Sequence, residues 1–175
     1  MRNNNRSWIV VFMLTLFIAA CDSPTEPACG VYASLVPADV VRPGQWSNWV
    51  TFLVTNECEE EEIVETVSMT LTGEAVMTNV CLMSGTTYVS PFINFIPVAG
   101  HENGVRLPLA PIDPLVVAPH QSMWFSLRAE LADTQWVSGF TIRVDEVKLK
   151  SGRPVYGLPL THTVIMGPGV GIVKG

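Results

Sequence analysis

Ile63-Val64-Glu65-Thr66-Val67-Ser68-Met69-Thr70-Leu71-Thr72 is the stretch that decides the fold. Val67, Met69 and Leu71 are apolar at odd positions, while Thr66, Ser68, Thr70 and Thr72 between them are polar. Successive side chains of a strand point to opposite faces, so this alternation predicts a strand with one face in a core and the other wet. Sheets of that kind are antiparallel as a rule.

The same period runs outward in both directions. Val31, Ala33 and Leu35 alternate, Arg42-Pro43-Gly44 punctuates, and Val50, Phe52 and Val54 form the inward face of a second strand. Gly73-Glu74 predicts a tight connection into a strand over 76–82. Further on, Met123, Phe125, Leu127, Ala129 and Leu131 alternate with Trp124, Ser126, Arg128 and Glu130. Phe140, Ile142 and Val144 are apolar at even positions but Val147 and Leu149 at odd ones, which predicts a bulge near Asp145-Glu146. Ser151-Gly152-Arg153-Pro154 reads as a turn into a last strand around 158–166. No segment carries a long apolar stripe at helical spacing, so the expected fold is all-β, a single immunoglobulin-like antiparallel β-sandwich over 29–166. Residues 167–175, opening on Gly167-Pro168-Gly169, read as a flexible tail.

Two segments echo each other, Val40-Val41-Arg42-Pro43-Gly44-Gln45 before Trp49 and Val116-Val117-Ala118-Pro119-His120-Gln121 before Trp124. A sandwich that needs the same proline turn twice accounts for the echo. With Val54-Thr55-Asn56 and Gly139-Phe140, the pattern resembles immunoglobulin-like domains of bacterial cell-surface proteins, of the CARDB or fibronectin-like type. The resemblance covers about 31–149 and departs from that type over 84–115, which is longer than the usual connection and rich in proline and glycine.

That middle stretch holds Tyr88, Phe92, Phe95, His101 and Glu102 among Gly85, Pro91, Pro97, Gly100 and Gly104. Aromatics among flexible residues suit a binding surface, and Tyr88, Phe92, Phe95 and His101 are its candidates. The competing expectation is an extra hairpin, 92–97 paired with 105–109, whose aromatics cover the sandwich edge.

The N-terminus carries an address. Arg2 and Arg6 precede an uncharged apolar run over 8–20, too short to span a bilayer and laid out like a secretory signal. It ends in Ile18-Ala19-Ala20-Cys21, which resembles the lipobox of bacterial lipoproteins. The resemblance implies cleavage between Ala20 and Cys21, a diacylglyceryl group on the Cys21 sulfur and an acyl chain such as palmitate on its amine. More than one chain makes membrane attachment stable. Residues 1–20 are then the signal peptide and 21–28 the lipidated cysteine and a short tether, whose Asp22-Ser23-Pro24-Thr25-Glu26-Pro27 is polar and proline-bearing. The expected location is the bacterial cell envelope, outside the cytoplasm.

Lysine and arginine number 10 and aspartate and glutamate 16; without Arg2 and Arg6 the balance is eight against sixteen, a net charge of −8. That disfavours nucleic acid as a partner. Charged residues are 15% of the chain and apolar ones 48%, which favours a packed core over disorder.

With Cys21 lipidated, Cys29, Cys58 and Cys81 remain for one disulfide and one thiol. Successive hairpins would bring all three to one pole. Cys29 and Cys58 sit in segments flanking strands and Cys81 within one, which favours Cys29 to Cys58; Cys58 to Cys81 is the alternative. The three are too scattered for a zinc site. Glu57 and the run from Glu59 to Glu62 lack the alternating spacing and glycine of a calcium loop and read as a solvated connection.

Catalytic signatures are missing. His101, His120 and His162 sit in unrelated contexts, with no Gly-x-Ser-x-Gly elbow, phosphate loop or Cys-x-x-Cys pair. The expectation is a non-enzymatic, lipid-anchored module without cofactor or metal, which binds or scaffolds an envelope protein or glycan. The alternatives are an assembly lipoprotein joining a complex by strand addition and a hydrolase with a scattered site.

Overall fold

The computed structural model describes residues 29–37, 40–42, 44–98, 100–131 and 140–164. The signal peptide, Cys21 with its tether, and the tail lie outside the described residues. The described chain is an all-β sandwich of two sheets. Sheet one runs in the order β11 (Val155–Tyr156), β1 (Val31–Val36), β2 (Trp46–Asn56), β9 (Ser122–Leu131), β4 (Val76–Ser84), and β4's outer edge carries β5 (Thr87–Tyr88) and β6 (Ile93–Pro97). Sheet two runs β12 (Leu160–Thr163), β10 (Thr141–Leu149), β3 (Glu62–Thr72), and β3's other edge is shared by β7 (Val105–Leu109) and β8 (Leu115–Val117). All pairings are antiparallel except β1 with β11.

The inward rows are those the alternation marks. Val50, Phe52 and Val54 of β2 meet Phe125, Leu127 and Ala129 of β9 and, from the facing sheet, Val67, Met69, Leu71, Ile142 and Val144, all fully buried. Phe52 stacks on Phe125 with centroids 5.4 Å apart. Trp49 meets Phe140 edge-on at 5.3 Å and donates its Nε1–H to the Ala129 carbonyl at 3.1 Å, so its one polar atom is satisfied inside the core. Each such side chain contributes about 1.5–3 kcal/mol by leaving water. In β10 the pairing with β3 shifts between Val144 and Glu146, the bulge that returns Val147 and Leu149 to the core.

Two expectations need correction. The segments over 92–97 and 105–109 do not pair: β6 adds to β4 in sheet one and β7 to β3 in sheet two. Burial is the reason, since Ile96 and Leu107 each insert into the core from opposite layers. Gly73-Glu74 is the tight connection expected, and it carries the chain from sheet two to sheet one. Cys81 therefore does not reach the pole shared by Cys29 and Cys58; it sits inside β4, opposite Arg128 of β9.

At that pole Cys29 and Cys58 form a disulfide, with Cα atoms 4.8 Å apart, and the Cys58–Cys81 alternative falls away. Disulfides of this kind belong to oxidising compartments outside the cytoplasm. Arg153 Nη1 donates to both sulfurs and lies 3.3 Å from Glu62 Oε1. Glu62, 1% exposed, also accepts from Ser151 Oγ at 2.6 Å. The glutamate run is therefore not wholly solvated: its last member turns inward to a fixed guanidinium. Fully buried Asn56 holds the base of the same loop, donating to the carbonyls of Glu60 at 2.7 Å and Val117 at 3.1 Å and accepting from Cys58 N–H at 3.0 Å.

Candidate aromatic face

The outward faces of the two sheets differ in chemistry. Sheet two presents threonines and ion pairs: Lys148 to Glu65 at 2.8 Å, Arg106 to Glu146 at 3.6 Å, and Thr70 Oγ1 donating to Asp145 at 2.6 Å. The exposed aromatics among the described residues, Tyr32, Trp46, Tyr88, Phe92, Phe95, Trp124 and Tyr156, all belong to sheet one or the segment leading into its strand β6.

A tight turn positions Tyr88. Ser84 pairs with Thr87 around Gly85-Thr86, and Gly85 takes φ +58°, which a two-residue hairpin loop requires at that position. Beyond it the chain stays on the sheet because Val89 N–H donates to Leu82 O at 2.9 Å. Buried Ser90 Oγ accepts from Leu82 N–H at 2.8 Å, replacing a ladder carbonyl. Val89 thus points inward and Tyr88 outward.

Trp46, the first residue of β2, stacks on Tyr88 with centroids 5.6 Å apart and planes 18° from parallel, and meets Phe92 at 5.7 Å. Tyr88 and Phe92 are 5.1 Å apart, closing a triangle of rings. The Arg128 guanidinium carbon lies 5.0 Å from the Trp46 ring centroid, a cation–π contact. Beside Trp46 is a cavity of about 220 Å³ lined by Val40, Arg42, Gln45, Ser47, Asn48 and Arg128. Asn48 also lines a neighbouring cavity of about 280 Å³ with Thr51, Trp124 and Ser126, so the two follow one another along the face. A larger cavity, about 420 Å³, opens elsewhere, between Ile63, Glu65, the loop over 111–114 and Lys150, and is lined by no aromatic side chain.

Of the sequence-predicted candidates, Tyr88 and Phe92 come together here. Phe95 shares the face but stands apart, at the far end of a register row running Trp46, Glu130, Thr78, Phe95 across four strands, about 14 Å from end to end at the backbone. His101 is not with them: it lies in the turn between β6 and β7, closed by Gly104 N–H to His101 O at 2.8 Å. Trp46, Trp124, Arg128 and Asn48 are the residues the sequence reading passed over. The outward placement of Trp124 in an otherwise polar row was the available signal.

Beneath the face, burial pushes the Cys81 thiol up against the opposing pull of Arg128, which leaves it a buried, protonated side chain. The histidines are dispersed: His101 as above, His120 3.3 Å from Glu59, and His162 on β12 opposite Ile142, where burial pushes its pKa down. Among the described residues no helix is long and apolar enough to cross a membrane, and no three His, Cys, Asp or Glu side chains gather as metal ligands.

No family model and no curated protein matches the chain. Solved structures similar to it include AvmM, which catalyses macrocyclization in alchivemycin A biosynthesis, at 13% identity over 79% of this chain and 90% of that one with a TM-score of 0.44. Spo0M, a sporulation control protein from Bacillus subtilis, matches at 13% identity over 79% of this chain and 49% of that one, TM-score 0.37. A GH20 exo-β-N-acetylglucosaminidase from Vibrio harveyi matches at 10% over 81% of this chain and 18% of that one, TM-score 0.27. These are distant likenesses and say nothing of activity.

Proposed function

We propose that the protein is a lipid-anchored bacterial envelope module that binds another envelope component through the outer face of sheet one, without catalysis of its own. The supporting observation is the one-sided distribution of exposed aromatics, an apolar surface of the kind that marks interaction sites. The lipobox at Cys21 and the disulfide supply the address, and the kinship with CARDB or fibronectin-like modules belongs to the same proposal. Strand addition, the alternative, calls for a long open edge, whereas the edge strands among the described residues have two to five residues and β1 is left uncovered only over 33–36.

Anchorage is tested by intact mass of the membrane fraction: the expected product has lost residues 1–20 and gained acyl chains, and Cys21→Ser abolishes both changes. An unacylated soluble product refutes the anchor. Binding is tested by crosslinking in whole envelopes followed by pull-down. Point variants serve better than a deletion, because the stretch over 84–104 contains β5 and β6. A triple variant Trp46→Ala, Tyr88→Ala, Phe92→Ala is expected to lose the crosslinked partners; unchanged capture refutes the assignment of this face.

A further inference from the structure

We infer that the sheet-one face takes an acidic glycan, a short run of a polysaccharide that carries carboxylate groups; this deepens the binding reading above and rests on it. Charge placement is the first argument. Of the five arginines among the described residues, Arg106, Arg143 and Arg153 face carboxylates within 4 Å, at Glu146, Asp145 and the pair Glu60 and Glu62. The other two, Arg42 and Arg128, form no such pair among the described residues, and both line the cavity beside Trp46. In a chain of net charge −6, two guanidiniums without a carboxylate partner among the described residues line one cleft, which fits an anionic ligand by charge complementarity.

The second argument is an orphaned donor. Arg128 Nε is buried and has no hydrogen-bond partner among the described residues. No acceptor among the described residues holds that edge of the guanidinium, and a carboxylate entering the cavity that Arg128 lines would meet the group through its outer nitrogens in the geometry such pairs favour. Trp46, under the guanidinium at 5.0 Å, is a positioning residue that fixes the direction of the fork.

The rest of the surface selects a sugar over a simple anion. Trp124 is half exposed and lines the second cavity, offering an apolar plane for the C–H face of a sugar ring. Asn48, Gln45, Ser47 and Ser126 border the two cavities with amide and hydroxyl groups suited to sugar hydroxyls. Trp124 and Arg128 lie four residues apart on β9, about 13 Å, which asks for an oligomer.

The test uses the full-length chain in detergent and follows tryptophan fluorescence and calorimetry. The probes are oligogalacturonate, oligoalginate, hyaluronan oligomers and solubilised cell-wall glycan strands, with maltohexaose and cellohexaose as neutral controls and oligoglutamate as an acidic non-sugar. At least one acidic glycan is expected to bind at least about tenfold more tightly than the neutral ones and oligoglutamate. Trp124→Ala should weaken it about tenfold or more, with Trp124→Phe retaining most of the affinity. Arg128→Gln should remove the preference for acidic over neutral sugars. The inference is overturned if no acidic glycan binds, if oligoglutamate binds equally well, or if binding ignores both substitutions. Loss of glycan binding with partner capture still dependent on Trp46, Tyr88 and Phe92 would sink the glycan alone; loss of both would sink the binding face as well.

Discussion

Replacing Cys29 and Cys58 together by alanine tests how the sandwich is held at its first pole. The two cysteines are 29 residues apart in sequence, and the chain-entropy relation for a loop of that length gives about 3.6 kcal/mol of lost stability at 25 °C. Arg153 keeps its carboxylate partners in the variant, so no large term for an abandoned charge is added. With a urea slope of about 2 kcal/mol per molar, the midpoint should fall by about 1.8 M. The assay is equilibrium urea unfolding of the full chain in a Cys21→Ser background, followed by tryptophan fluorescence. Thiol titration of the unfolded parent without reductant should count a single thiol, Cys81. A count of three thiols would refute the bridge, and a midpoint shift below about 0.5 M with the bridge intact would refute loop closure as its contribution.

Arg153→Met leaves the buried Glu62 carboxylate with only Ser151 and should cost about 3–5 kcal/mol, whereas Glu62→Gln with Arg153→Met should cost less than the sum of the two; additive values from a double-mutant cycle would disprove the coupling. Asn56→Ala strands the carbonyls of Glu60 and Val117 and the Cys58 N–H, with an expected loss of about 2–4 kcal/mol in the same unfolding assay. His162 has its pKa lowered by burial, so the unfolded chain takes up its proton first as pH falls. The contribution of His162 is therefore fully present above about pH 6.5 and lost as pH drops toward the folded value, and His162→Gln should flatten the stability profile between pH 7.5 and 5.5; an unchanged slope would contradict this.

Period-two alternation made the sandwich legible, because a half-buried strand writes its burial directly into every second residue. It could not tell which sheet a strand joins. The strands over 92–97 and 105–109 look like a hairpin in sequence, and only the need to bury Ile96 and Leu107 from opposite layers separates them. The disulfide was accessible because Cys29 and Cys58 flank β1 and the end of β2 that pairs with all of it. The aromatic face was half legible: Tyr88 and Phe92 stand out among prolines and glycines, but Trp46 and Trp124 sit in strands 78 residues apart. Their common face follows from the pairing of β2 with β9 and is not written in either segment. Glu62 was unreadable within a run of like residues, since its inward turn is set by Arg153, 91 positions later.

The disulfide also has a mechanical meaning. β2 runs without a break from Trp46, at one end of the sandwich, to Asn56 beside Cys58, a span of about 33 Å. A pull between the N-terminal end of the chain and a ligand on the aromatic face would reach the Cys29–Cys58 bridge before β1 and pass covalently into β2. There it would act along a strand flanked on both sides by the ladders to β1 and β9. Force applied in that direction must slide many hydrogen bonds at once instead of unzipping them singly, so β1 is spared from being peeled away.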